Sequence, residues 1–149
     1  MTDATPQLTD SAAAPATAVP APGLRAVLDL VVLDCPDPMA LGRFYAGILG
    51  WALEEGSEEE WVTLEPPGGR GPGVISLAFQ QVTDYQPPTW PTGPRPQHFH
   101  LDLNVPDVDA AEPAVLAAGA TLHEYQPSET GSFRVFLDPA GHPFCLCRG

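Results

Sequence analysis

Lysine is missing from this chain. All 6 basic residues are arginines, set against 19 acidic side chains, for a formal net charge of −13. Residues 1–23 contribute only Asp3 and Asp10, so residues 24–149 hold 17 acids and the 6 arginines. Such a surface repels phosphate backbones and anionic headgroups, which argues against nucleic acid and membranes as partners. Its bland reading is a solvated acidic face. With abundant Ala, Gly and Pro, the missing lysine also points to a GC-rich genome.

Cysteine is scarce as well. Cys35, Cys145 and Cys147 are too few for a disulfide framework, and a bridge between neighbours two apart on a strand would be strained. No run approaches the roughly 18 apolar residues that span a bilayer. Residues 1–23 have no aromatic, Lys or Arg and are rich in Ala and Pro. They cannot bury enough surface to offset their ordering entropy and are expected to form a disordered tail. They also lack the basic and apolar segments of a secretory signal, so the expected location is a reducing cytoplasm. The remaining 24–149 is long enough for one domain with a sizeable core.

What is present is a repeat. Gln97–Ala120 reads as a strand, a Pro-Asp turn, a helix and a glycine stop, and Asp29–Trp51 reads the same way. Pro36-Asp37 corresponds to Pro106-Asp107, and Gly50 to Gly119. Asp37-Pro38 supplies an N-cap with proline at the first helical position. Leu41, Phe44, Tyr45, Ile48 and Leu49 then form one apolar stripe. In the second helix, capped by Asp107 or Asp109, Pro113 is expected to kink the helix or delay its start.

Strands are expected over 25–33, 51–55, 60–65 and 74–81 in the first half, and over 98–105, 121–125, 132–138 and 144–148 in the second. A tight Asp138-Pro139-Ala140-Gly141 turn joins the last two. The fold class is therefore α+β: two βαβββ modules, at about 24–82 and 97–149, forming a curved sheet around a shared cleft. The Pro-rich 83–96 connects them. Trp90, at its centre, reads as a plug for the core rim or as a ligand contact.

The motifs FYAGILGW (44–51), HLDLNVPD (100–107), AAGA (117–120) and DPAGHPFCL (138–146) resemble the vicinal oxygen chelate superfamily. That superfamily includes glyoxalase I, bleomycin-resistance proteins and extradiol dioxygenases. The likeness covers residues 24–149 and is strongest to glyoxalase-like domains common in actinobacteria. It implies a divalent metal on inward-facing strand residues, two from each half. Position by position, the implied ligands are His100 seven residues before Asp107, and Leu30 seven before Asp37. On the last strand of the second half Cys145 stands where Glu is usual, and in the first half Ser76, Ala78 and Gln80 are the candidates. Leu30 cannot coordinate, and only Gln80 of the last three could. No metal is expected on this count; if one is held, His100, Gln80 and Cys145 are the ligands. A four-ligand zinc site from His98, His100, Cys145 and Cys147 is a further alternative.

Two functions follow. One is a metal-free protein that sequesters an apolar or aromatic small molecule, as the bleomycin-resistance branch does. The other is a lyase, isomerase or dioxygenase in which His100 binds a metal or acts as a base oriented by Asp102. Ligand-contact candidates are Leu30, Trp61, Phe79, Gln80, His98, His100, His142 and Cys145, with Trp61, Phe79 and Phe133 open to a core reading and His142 to a solvated turn. Strand alternation should turn His98, His100 and Asp102 to the cleft and bury Phe99, Leu101 and Leu103 under Val115 and Leu116 of the helix. The cleft could close within one chain or across a homodimer.

Overall fold

The computed structural model describes residues 26–149. The expected tail, 1–23, lies outside the described residues. In the first half, β1 (Leu30–Cys35) leads into α1 (Pro38–Leu49), β2 (Ala52–Leu53), β3 (Trp61–Glu65) and β4 (Ser76–Gln81). The second half gives β5 (Leu101–Val105), α2 (Val108–Ala118), β6 (Thr121–Leu122), β7 (Phe133–Leu137) and β8 (Pro143–Arg148). The sheets have the same order, β1-β4-β3-β2 and β5-β8-β7-β6, with the first and last strands of each half parallel. Two copies of one βαβββ module are thus present.

The helix ends form as their residues dictate. Asp37 and Asp107 sit in extended backbone and accept the amides of Ala40 and Ala110 at 2.9 and 3.0 Å. Gly50 (φ 68°) and Gly119 (φ 119°) leave the helices through conformations that a Cβ disfavours. Pro113 does not delay α2, which starts at Val108 under the Asp107 cap. The ring removes the amide that would bond the Asp109 carbonyl. Arg134 of β7 reaches across to the side chains of both Asp109 and Glu112 on this stretch.

Several strands are shorter than their apolar runs. β1 begins at Leu30 and not at Arg25, and β5 begins at Leu101 and not at His98. Leu101 pairs with Phe144, one residue into β8; Pro143 before it has no N–H to extend the ladder. His98 and Phe99 therefore escape the strand's alternation. Phe99 is 63% exposed, against the expectation that it packs under α2. Leu101 and Leu103 do pack toward the core, with Val115 buried, but Leu116 faces outward.

The two halves share one core. Gly42 lets α1 press onto β3, where a Cβ would stand 2.7 Å from Val62. Tyr45 of α1 stacks on Phe79 at 5.5 Å between ring centroids. Phe144 of β8 meets Phe44 at 5.9 Å and Phe136 at 5.8 Å, so second-half rings enter the first helix's packing. The connector folds back on itself through Thr89 and Arg95, and Trp90 lies edge-on to His123 and against Tyr125.

Candidate functional site

The sheet faces turned away from the helices leave polar residues beside a cavity between the two halves. Its volume is about 570 Å³. Val32 and Asp34 come from β1, Tyr85 and Arg95 from the connector, and Phe99 and His142 from the second half. His98, Gln97 and His100 complete one wall. A smaller recess of about 210 Å³ continues past His100 to Cys145, with Trp90 and Phe133 on its sides.

Two polar centres border this space. The first lies on β5 and β8, where Asp102 and Cys145 are register partners and Leu101, Leu103, Phe144 and Leu146 turn the other way into the core. His100 Nε2 stands 3.3 Å from an Asp102 oxygen, and the Gln97 amide reaches His100 Nδ1 at 3.2 Å. Gln97 Oε1 is buried with no hydrogen-bond partner among the described residues. Burial pushes the Cys145 thiol up to about 12, and the neighbouring Asp102 carboxylate adds to the rise. Cys35, buried in the core, is pushed up to about 11, also chiefly by burial.

These shifts predict reactivity. Burial and Asp102 push the Cys147 thiol up as well, but it is the more open of the three, so alkylation of the native protein at pH 8 will reach Cys147 before the buried Cys35 and Cys145. Asp102→Asn removes the adjacent negative charge, which lowers the Cys145 pKa and will speed its modification. Mass spectrometry of timed iodoacetamide samples reads both effects; Cys145 reacting first in the unaltered protein would contradict the assignment.

The same three residues offer metal donors. An imidazole nitrogen, a carboxylate oxygen and the Cys145 sulfur all lie within 4.8 Å of one another. This mixed set fits zinc with an open position and does not fit an oxygen-rich octahedral ion. The membership differs from expectation. Asp102 joins His100 and Cys145, whereas Gln80 lies on the other sheet in a separate groove with Trp61 and Thr83. His98 and Cys147 do not join them, so the four-ligand zinc alternative is not assembled among the described residues.

The second centre surrounds Asp138 in the turn between β7 and β8. Its side chain is fully buried. One oxygen accepts the amides of Ala140 and His142 at 2.9 and 3.0 Å. The other accepts the Tyr45 hydroxyl at 2.9 Å and faces His142 Nδ1 at 2.8 Å. His142 Nε2 in turn meets the Tyr85 hydroxyl at 3.0 Å. Burial, followed by the Asp138 charge, holds the phenols of both Tyr45 and Tyr85 well above the usual tyrosine range.

The remaining sequence candidates divide. His98, His100 and His142 line the larger cavity, and His100 and Cys145 the smaller recess. Leu30 shares the face of Val32 and Asp34 by alternation but does not itself line either space. Phe133 lines the recess and Trp90 both docks and lines it. Phe79 is corrected to the core: it is fully buried against Tyr45 because the helix side of β4 carries Leu77 and Phe79. Trp61 donates its indole N–H to Thr63 at 2.9 Å. Tyr45, Tyr85 and Asp138 were not among the sequence candidates. The available signal was a phenol on an otherwise apolar stripe, since a buried tyrosine hydroxyl needs a partner.

The sequence profile of the Glyoxalase-like domain family matches residues 30–147. The chain belongs to this family. Known structures repeat its two-module architecture. A glyoxalase/bleomycin resistance protein/dioxygenase family enzyme from Burkholderia phytofirmans PsJN aligns with 83% of this chain and 98% of its own, at 23% identity and a TM-score of 0.60. A glyoxalase-related enzyme from Fulvimarina pelagi covers 85% of this chain and 89% of its own, at 22% identity and 0.58. The fosfomycin resistance protein FosX from Mesorhizobium loti covers 85% and 94%, at 18% and 0.54. At these identities the likeness establishes the fold. No curated protein matches the chain. Among the described residues no helix is long and apolar enough to cross a membrane.

Proposed function

We propose that this glyoxalase-like domain binds an apolar or aromatic small molecule in the cavity between its halves and needs no resident metal to do so. The carrying observation is the cavity, whose volume lies in the range of organic ligand sites. Val32 and Phe99 offer apolar surface, while the Tyr85 hydroxyl offers a hydrogen bond at a defined point. Leu30 in place of a ligand on the first sheet supports the metal-free reading. The buried free thiols suit a reducing cytoplasm. A homodimer would fit the exposure of Trp61 on the first sheet.

A second reading, metal-assisted or acid–base catalysis, is favoured by the meeting of His100, Asp102 and Cys145. Those residues would hold zinc, which would supply Lewis-acid activation of a carbonyl or of water. His100 would hold its proton at Nε2 against Asp102, leaving Nδ1, which faces the Gln97 amide, as the accepting nitrogen.

Calorimetric titration with nitrobenzene, run before and after exhaustive chelation, separates the two. Saturable binding unchanged by chelation is expected. Stoichiometric zinc in the purified protein, with binding lost on its removal, would overturn the metal-free reading.

A further inference from the structure

The geometry points to Tyr85, His142 and Asp138 as a proton relay that takes a proton from the hydroxyl of a phenolic ligand in the cavity. The relay presupposes that the cavity takes a small molecule. Its direction is fixed by hydrogen bonds. Asp138 Oδ2 is an acceptor for both Tyr45 and His142 Nδ1, so Nδ1 carries the ring proton. Nε2 is then the free lone pair, and it accepts the Tyr85 O–H at 3.0 Å. The Tyr85 oxygen keeps its own lone pairs for a ligand, and both Tyr85 and His142 line the cavity. Asp138 is locked by two backbone amides and by Tyr45, so it cannot turn away.

The transfer balances without a further reactant. The ligand O–H breaks and its proton goes to the Tyr85 oxygen. The Tyr85 proton moves to His142 Nε2. The ligand remains as a phenolate hydrogen-bonded to Tyr85, and the imidazolium rests against the Asp138 carboxylate, so the total charge is unchanged. Burial keeps Tyr85 itself protonated, which makes it a bridge and not a standing base. Asp34 and Cys35 of β1 also act on Tyr85, and a negative charge on either opposes an anion there, so the relay must work against Asp34. Arg95, His98 and His100 line the same cavity. The Arg95 Nε–H is held by the Pro87 carbonyl at 2.8 Å, and its guanidinium forms no ion pair among the described residues. Arg95 is the one arginine among the residues lining this cavity.

Phenols suit the site for a second reason: Val32 and Phe99 would cover an aromatic body while the hydroxyl meets Tyr85. This polar arrangement is separate from the His100–Asp102–Cys145 cluster and uses none of its atoms.

The test uses p-nitrophenol, whose phenolate absorbs separately from the phenol, with nitrobenzene as the control that lacks the hydroxyl. Bound to the full chain, p-nitrophenol should ionise about tenfold more readily than free in solution, a fall of about one pKa unit. Tyr85→Phe keeps the ring volume at a half-buried connector position, and unchanged melting will show that it folds. It should bind the probe more weakly, by the loss of one hydrogen bond, and at saturation lose the phenolate enhancement; His142→Asn should lose the enhancement too. An enhancement that persists in Tyr85→Phe, or is missing in the unaltered protein, overturns the relay. So does nitrobenzene binding without p-nitrophenol binding, which would leave the cavity reading intact. Failure of both probes to bind would overturn the cavity reading together with the relay.

Discussion

Asp138→Ala will lower stability by about 3–5 kcal/mol, the range for removing one partner of a buried charged network. The carboxylate is fully buried and holds four donors: two backbone amides, the Tyr45 hydroxyl and the His142 ring. Alanine leaves these groups without acceptors, and each unsatisfied buried donor costs about 1–3 kcal/mol. The Tyr45 bond joins α1 to the β7–β8 turn across 93 residues of sequence, so its loss also loosens the halves. A fall in melting temperature of roughly 10 °C or more is expected for a domain of this size. Asp138→Asn, which keeps one carbonyl oxygen for the backbone amides, should cost less. A loss below about 1 kcal/mol for alanine would show that water or a rearranged turn replaces the carboxylate.

Phe144→Ala is the second large effect. The ring is fully buried and lies among Phe44, Tyr45 and Phe136, so it belongs to both halves at once. Truncation should cost about 3–5 kcal/mol through lost transfer energy and the cavity left behind. Leu122→Ala, at a residue 40% exposed, should stay within about 0.5 kcal/mol. Urea titrations compare the two. Similar losses would mean that the halves do not share the aromatic core.

The residues that announced themselves in sequence were those whose physics is local. Asp37 and Asp107 cap the nearest amides, Gly50 and Gly119 turn the chain out of the helices, and Asp138–Gly141 closes its own turn at 2.9 Å. Alternation correctly separated Leu101 and Leu103 from Asp102, because β5 is a true strand there. It failed at Phe99, since alternation has no meaning before the ladder begins. It failed also on β4, where Ser76 through Phe79 are all buried and a central strand gives no in-and-out pattern to read. The Tyr85–His142–Asp138–Tyr45 chain was illegible for another reason. Its members lie 57 and 93 residues apart, and only the folded packing of α1, the connector and the β7–β8 turn brings them together.

The central claim is that the space between the halves is a small-molecule site. Backbone and aromatic NMR shifts, followed as nitrobenzene is added, test it directly. The account predicts saturable shifts centred on Val32, Tyr85, Phe99 and His142. Shifts confined to the groove between the helices at Leu49 and Val115, or to the Trp61–Gln80 groove, would contradict it, as would no shift at all.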